Sequence, residues 1–131
     1  MKHWAMIDEV PTENVRASTT SGLRATWLCD WNEGFAPIGN TERVRITLQQ
    51  YTPGGDHKPH QHESLEQVYI MVKGTGRMHI GDEEFDAVPG MMIYVPAKTD
   101  HYIVNIGDDE LVHYLININL GDEKPPSDPR A

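Results

Sequence analysis

From Arg43 to Gln49 apolar and polar residues alternate, with Val44, Ile46 and Leu48 against Arg43, Arg45, Thr47 and Gln49. A period of two places all the apolar side chains on one side of an extended strand, so this segment is predicted to be half-buried β-structure. Leu23 to Asp30 obeys the same rule. Gln67 to Val72 and Met91 to Val95 are apolar at successive positions, as strands covered on both faces are. Arg77–Ile80 and Glu84–Val88 flank Gly81-Asp82, a hairpin signal, and Glu110–Leu120 reads as a last, long strand. Pro53-Gly54-Gly55 and Pro89-Gly90 read as turns, and 32–34 and 37–40 as loops. Eight or more short strands, turn signals every eight to twelve residues and no long helical pattern predict an all-β chain. Two packed antiparallel sheets in a jelly roll satisfy that pattern.

The ends differ from the middle. Residues 1–22 carry weak signals and are expected to form an N-terminal arm, residues 23–120 the barrel, and residues 121–131, with Pro125, Pro126 and Pro129, a flexible tail. Two strands with two apolar faces need cover on the outside as well as a core on the inside. The arm together with a second subunit supplies it, so a homodimer is expected.

Composition narrows the classes of function. A chain of 131 residues is one domain by length, and 38% apolar with 24% charged residues is the balance of a folded soluble protein. The longest apolar run, Val68–Val72, is far too short to span a membrane, and the first residues lack the apolar segment of a secretory signal. The single cysteine, Cys29, excludes an internal disulfide, which suits a reducing, cytoplasmic setting. A net charge of −9 disfavours phosphate backbones and hence nucleic acid as a partner.

Candidate chemistry is concentrated in His60-Gln61-His62 and the strand after it. Side chains two apart on a strand leave the same face, so both imidazoles can meet one ion, and imidazole is the commonest protein metal ligand. Glu66 and Gln67 open the next strand; being adjacent they face opposite sides, so only one of them can look at the same centre. Downstream, His101 comes after a strand and a Pro96-containing turn and opens another strand, a natural further ligand.

These two stretches resemble the paired motifs of the cupin superfamily. The first motif is a glycine, five residues, His-x-His, three or four residues, a carboxylate, six residues and a glycine; Gly54, His60, His62 and Gly74 match it. The second is matched by Gly90, Pro96, His101 and Asn105. Two positions depart: Gln67 stands where the family usually has glutamate, and Lys98 where it has glycine. The resemblance implies a double-stranded β-helix, or jelly-roll barrel, holding a divalent transition metal (Fe, Mn, Ni, Co, Cu or Zn) on His60, His62, Gln67 and His101. It also implies a small-molecule ligand at open metal positions. Three imidazoles and an amide would leave the ion its full charge, which favours small anionic or oxygen-rich metabolites. Tyr69, two residues after Gln67, is expected to point inward, and Tyr69 or Glu66 is the expected proton carrier. The family holds dioxygenases, lyases and isomerases alongside non-catalytic binders, so an enzyme and a small-ligand sensor are both in view. His57 and His79 lie outside both motifs.

Overall fold

The computed structural model describes residues 2–127 of the chain. After a 3-10 turn at Ile7–Glu9 the elements are β1 (Thr12–Asn14), β2 (Thr20–Cys29), β3 (Val44–His60), β4 (Leu65–Lys73), β5 (Gly76–Ile80), β6 (Glu83–Ala87), β7 (Met92–Val95), β8 (His101–Asn105) and β9 (Leu111–Asn119). All strand pairs are antiparallel, and the main path runs β6-β5-β8-β3-β9-β4-β7, with β2 on β3 and β1 on β2. The sheet curls on itself as a jelly roll, a double-stranded β-helix. Tyr51, Tyr69, Met71, Met78, Ala87, Ile93, Val95, Ile103, Leu111 and Leu115, drawn from β3 through β9, pack into one interior cluster. Burying these side chains in one continuous core is the main stabilising contribution. No helix among the described residues is long and apolar enough to cross a membrane.

β3 departs from the sequence reading in two ways. Thr47, Gln49 and Tyr51 are buried, at 2%, 8% and 0% exposed, while Val44, Ile46 and Leu48 are only half-buried, so the polar side of the alternation faces inward, where the Tyr51 hydroxyl donates to Gln49 Oε1. Pro53-Gly54-Gly55 is no turn: β3 continues through it for 17 residues. Residues 44–51 pair with β9 and residues 56–60 with β8, so the strand bends and passes from one half of the sheet to the other. Gly54 adopts φ 78°, the left-handed region that glycine enters without penalty. A Cβ on Gly55 would lie 2.8 Å from the Thr52 carbonyl oxygen and 3.0 Å from that of Gly22. Glycines that normally signal a chain reversal here let a strand turn a corner.

The segment expected as a tail is tied down as far as it is described. Trp31 Nε1 and Asn32 Nδ2 donate to the Pro125 carbonyl at 2.9 and 2.7 Å, and Ser127, 3% exposed, donates its hydroxyl to Asp30 Oδ2 at 2.7 Å. Asp30 is wholly buried, and its Oδ1 accepts from Arg45 Nε at 2.6 Å. The Arg45 guanidinium lies over the Trp31 ring at 4.0 Å and the Trp27 ring at 5.0 Å. Residues 128–131 of the expected tail lie outside the described residues.

Candidate metal centre

His60 ends β3 and His101 opens β8, and the two are direct partners across the sheet. His62 lies two residues beyond the end of β3, so strand parity does not place it, contrary to the sequence reading. A turn does: the Lys98 N–H donates to the His62 carbonyl at 2.7 Å, tying the loop after β3 to the loop before β8. Lys98 sits at φ 59°, which explains the glycine usual at that motif position.

The potential ligand nitrogens of His60, His62 and His101 all lie within 4.8 Å of one another. Ring centroids are 4.1 Å apart for His60 and His101, 4.9 Å for His60 and His62, and 5.4 Å for His62 and His101. Their protonation is decided locally. His60 Nδ1 is 2.6 Å from the Lys58 carbonyl and His101 Nδ1 is 2.9 Å from the Thr99 carbonyl. A carbonyl can only accept, so in each ring Nδ1 carries the hydrogen and Nε2 presents a lone pair. The Nε2 atoms of all three histidines are buried without a hydrogen-bond partner. Burial above all holds His62 and His101 at a pKa of about 4, and lowers that of His60 as well, so the rings are neutral and able to ligate at pH 7.

Gln67 points inward from β4 and is 2% exposed. Its Nε2 donates to Asn117 Oδ1 at 2.7 Å, while its Oε1 is buried and unpartnered. Three imidazole lone pairs and one amide oxygen are thus acceptors with nothing to accept from. A buried polar atom left so costs on the order of 1–3 kcal/mol, and because the three histidine ligand atoms lie within 4.8 Å of one another a single cation can satisfy them together. The residues therefore fit a metal ion, and His60 and His62, which remain partly exposed, leave it open to solvent on one side.

Glu66 is elsewhere. Its Oε2 accepts from the Tyr94 hydroxyl at 2.7 Å on the outer face, because a strand that turns Gln67 inward must turn its neighbour outward. The expectation that Glu66 carries a proton in the interior is corrected on that ground. Tyr69 is inward and 1% exposed, with its ring 4.7 Å from that of His113; burial raises its pKa well above that of free tyrosine.

His57 is the residue that the sequence reading missed. Its ring stacks on His60 at 3.9 Å and its Nδ1 is buried without a partner. Burial first, and then the neighbouring imidazoles, depress its pKa to about 2. Residues 57 and 60 would face opposite sides of a regular strand. A register irregularity between them brings both rings to one side, and no sequence pattern announces it. His79, by contrast, stacks on Tyr102 at 5.0 Å, outside the candidate centre.

Deeper in the barrel, His113 is wholly buried, with Nδ1 donating to the Tyr114 carbonyl and Nε2 3.1 Å from the Tyr51 hydroxyl. Burial holds its pKa at about 4, against 6.5 for an unburied imidazole. A depressed value means that the unfolded chain takes up the proton first as pH falls. The stability linked to this group is present above pH 6.5 and is lost as pH drops towards 4, by about 3 kcal/mol. Urea unfolding at pH 7 and at pH 4 should therefore give a smaller difference for His113→Gln than for the unaltered chain. Equal differences would refute the assignment.

A family model described as a cupin domain matches residues 47–117, which include all four candidate ligands. Auxin-binding protein T85 of Nicotiana tabacum is 25% identical over 130 residues, covering 92% of this chain and 63% of that protein. Glucose-6-phosphate isomerase of Pyrococcus furiosus is 38% identical over 66 residues, 45% of this chain and 35% of that one. The chain thus spans less than two thirds of these relatives. Among solved structures, the polyketide cyclase RemF from Streptomyces resistomycificus superposes with a TM-score of 0.77 at 22% identity, over 96% of this chain and 83% of that one, a likeness of fold.

Proposed function

The chain belongs to the cupin domain family, and on that premise we propose that it holds one divalent transition metal on His60, His62, His101 and Gln67. We read it as an enzyme that acts on a small anionic or oxygen-rich metabolite. The observation that carries this reading is the set of four buried acceptor atoms without partners, Nε2 of the three histidines and Oε1 of Gln67. Imidazole and amide donors suit Fe, Mn, Co, Ni, Cu or Zn. Bound there, the ion supplies a Lewis acid with open positions and a charge undiminished by any carboxylate ligand.

The chain's own residues do the rest. The depressed pKa values of His62 and His101 keep those ligands unprotonated through the neutral range. Tyr69 stays protonated, since burial raises its pKa, so its role towards a bound metabolite is that of hydrogen-bond donor. His101 is buried and His60 and His62 are partly exposed, so a metabolite would reach the site from the side of His60 and His62.

Within this reading the reaction is either a dioxygenation or a redox-silent lyase or isomerase step. A second reading, a non-catalytic small-ligand binder, is supported by the match along 92% of this chain to a protein named for auxin binding. One experiment separates the three. Protein loaded with a single metal is incubated with 2-oxo and 2-hydroxy carboxylates, with and without oxygen, and the mixture is monitored by NMR. Turnover without oxygen supports the lyase or isomerase, turnover only with oxygen the dioxygenase. A carboxylate bound yet recovered unchanged would overturn the enzyme reading in favour of the binder.

The same chain is proposed to pair as a homodimer in the cytoplasm. The outer face of β4, β7 and β9 carries Val68, Ile70 and Ile116 beside Met92 and Tyr94, which are 75% and 55% exposed. A second copy covers such a face most simply. Light scattering should give twice the chain mass, falling to one chain in Ile116→Arg; a monomer in the unaltered protein would exclude the pairing.

A further inference from the structure

Gln67 and Asn117 stand directly opposite each other on β4 and β9, 2% and 7% exposed, joined by the 2.7 Å hydrogen bond from Gln67 Nε2 to Asn117 Oδ1. An amide has two unlike ends: its oxygen can ligate a cation and its NH2 cannot. The last torsion of glutamine is broad and nearly two-fold, so the side chain alone does not decide which end faces where. Asn117 offers an oxygen, which only the NH2 end can meet. Meeting it turns Oε1 the other way, where no hydrogen-bond partner waits.

We propose that Asn117 is a positioning residue for the metal centre: by holding the NH2 of Gln67 it presents the Gln67 oxygen, and only the oxygen, to the ion. This rests on Gln67 being a ligand. It also gives the departure from the family's glutamate a structural counterpart. A carboxylate ligates through either end and needs no such partner, whereas glutamine keeps the ion's charge but must be oriented. Gln67 and Asn117 therefore work as a pair.

The test measures cobalt(II) affinity by competition with a chromophoric chelator, together with the visible absorption of the saturated protein. Asn117→Leu is expected to weaken binding about tenfold, the usual effect of losing a group that orients a ligand. Asn117→Asp, which keeps the accepting oxygen, should bind at least as tightly as the unaltered chain. In a Gln67→Glu background, Asn117→Leu should cost less than about threefold, because a carboxylate needs no orientation. The proposal falls if Asn117→Leu is harmless in the unaltered chain, if Asn117→Asp loses as much as Asn117→Leu, or if the loss is the same in both backgrounds. Asn117→Ser, whose hydroxyl stops short of Gln67, carries the same expectation should the leucine variant not fold. Gln67→Leu distinguishes the two levels: unchanged cobalt binding there removes Gln67 from the ligand set, while weakened binding with a harmless Asn117→Leu removes the positioning role alone.

Discussion

His62→Ala should lower the affinity for a divalent ion by on the order of a hundredfold or more while leaving the barrel folded. Spreading a typical protein–zinc binding free energy over four ligands assigns each about 3 kcal/mol, which sets that magnitude. The barrel should survive because His62 lies beyond the end of β3, partly exposed and outside the interior cluster. Its tie to the rest of the protein is a backbone carbonyl, which an alanine keeps. Elemental analysis of the purified variant and its circular dichroism check the two halves separately. Unchanged metal content with a native spectrum would remove His62 from the centre.

Asp30→Ala is expected to cost about 3–5 kcal/mol of unfolding free energy, a large share of what a domain of this size possesses. Asp30 is wholly buried and faces Arg45, whose side chain is 11% exposed. Removing the carboxylate strands a guanidinium between two indole rings and also deprives Asn32 and Ser127 of their shared acceptor. Urea unfolding of the two proteins at pH 7 measures the difference, and a loss below about 1 kcal/mol would mean that water reaches Arg45 and compensates it. Ser127 is held through this carboxylate, so the segment at 125–127 should also become susceptible to proteolysis in the variant.

The all-β fold could be read from the sequence because period-two alternation at 43–49 and short apolar runs at 67–72 and 91–95 mark extended strands, but which face lies inside could not: Thr47 and Gln49 are buried while Val44, Ile46 and Leu48 are half-buried, and Met92 and Tyr94 are exposed. Turns were less legible. Pro53-Gly54-Gly55 has the composition of a reversal, and only the pairing of β3 with both β8 and β9 makes it a corner. Prolines at 125 and 126 suggested a free tail, but the hydrogen bonds that hold this segment come from Trp31, Asn32 and Arg45, some 80 to 95 residues away. At the candidate centre, parity allowed only one of Gln67 and Glu66 to face inward, and the motif spacing to Gly74 chose Gln67. His57 escaped notice because its orientation depends on a strand irregularity, and the pairing of Gln67 with Asn117 because it crosses between strands 50 residues apart. Local pattern encodes which residues share a face; it does not encode which face turns inward or what waits there.

His60 and His101 are partners across β3 and β8, yet β4, β5, β6 and β7 all lie between them along the chain. A denatured chain would have to close that long loop before it could offer both rings to one ion, so an ion they share recognises the native state almost exclusively. Each tenfold excess of free ion over its dissociation constant then adds about 1.4 kcal/mol to the work of unfolding. The melting temperature of this barrel becomes a gauge of its own metallation, readable in a dye-based thermal scan before any substrate is known.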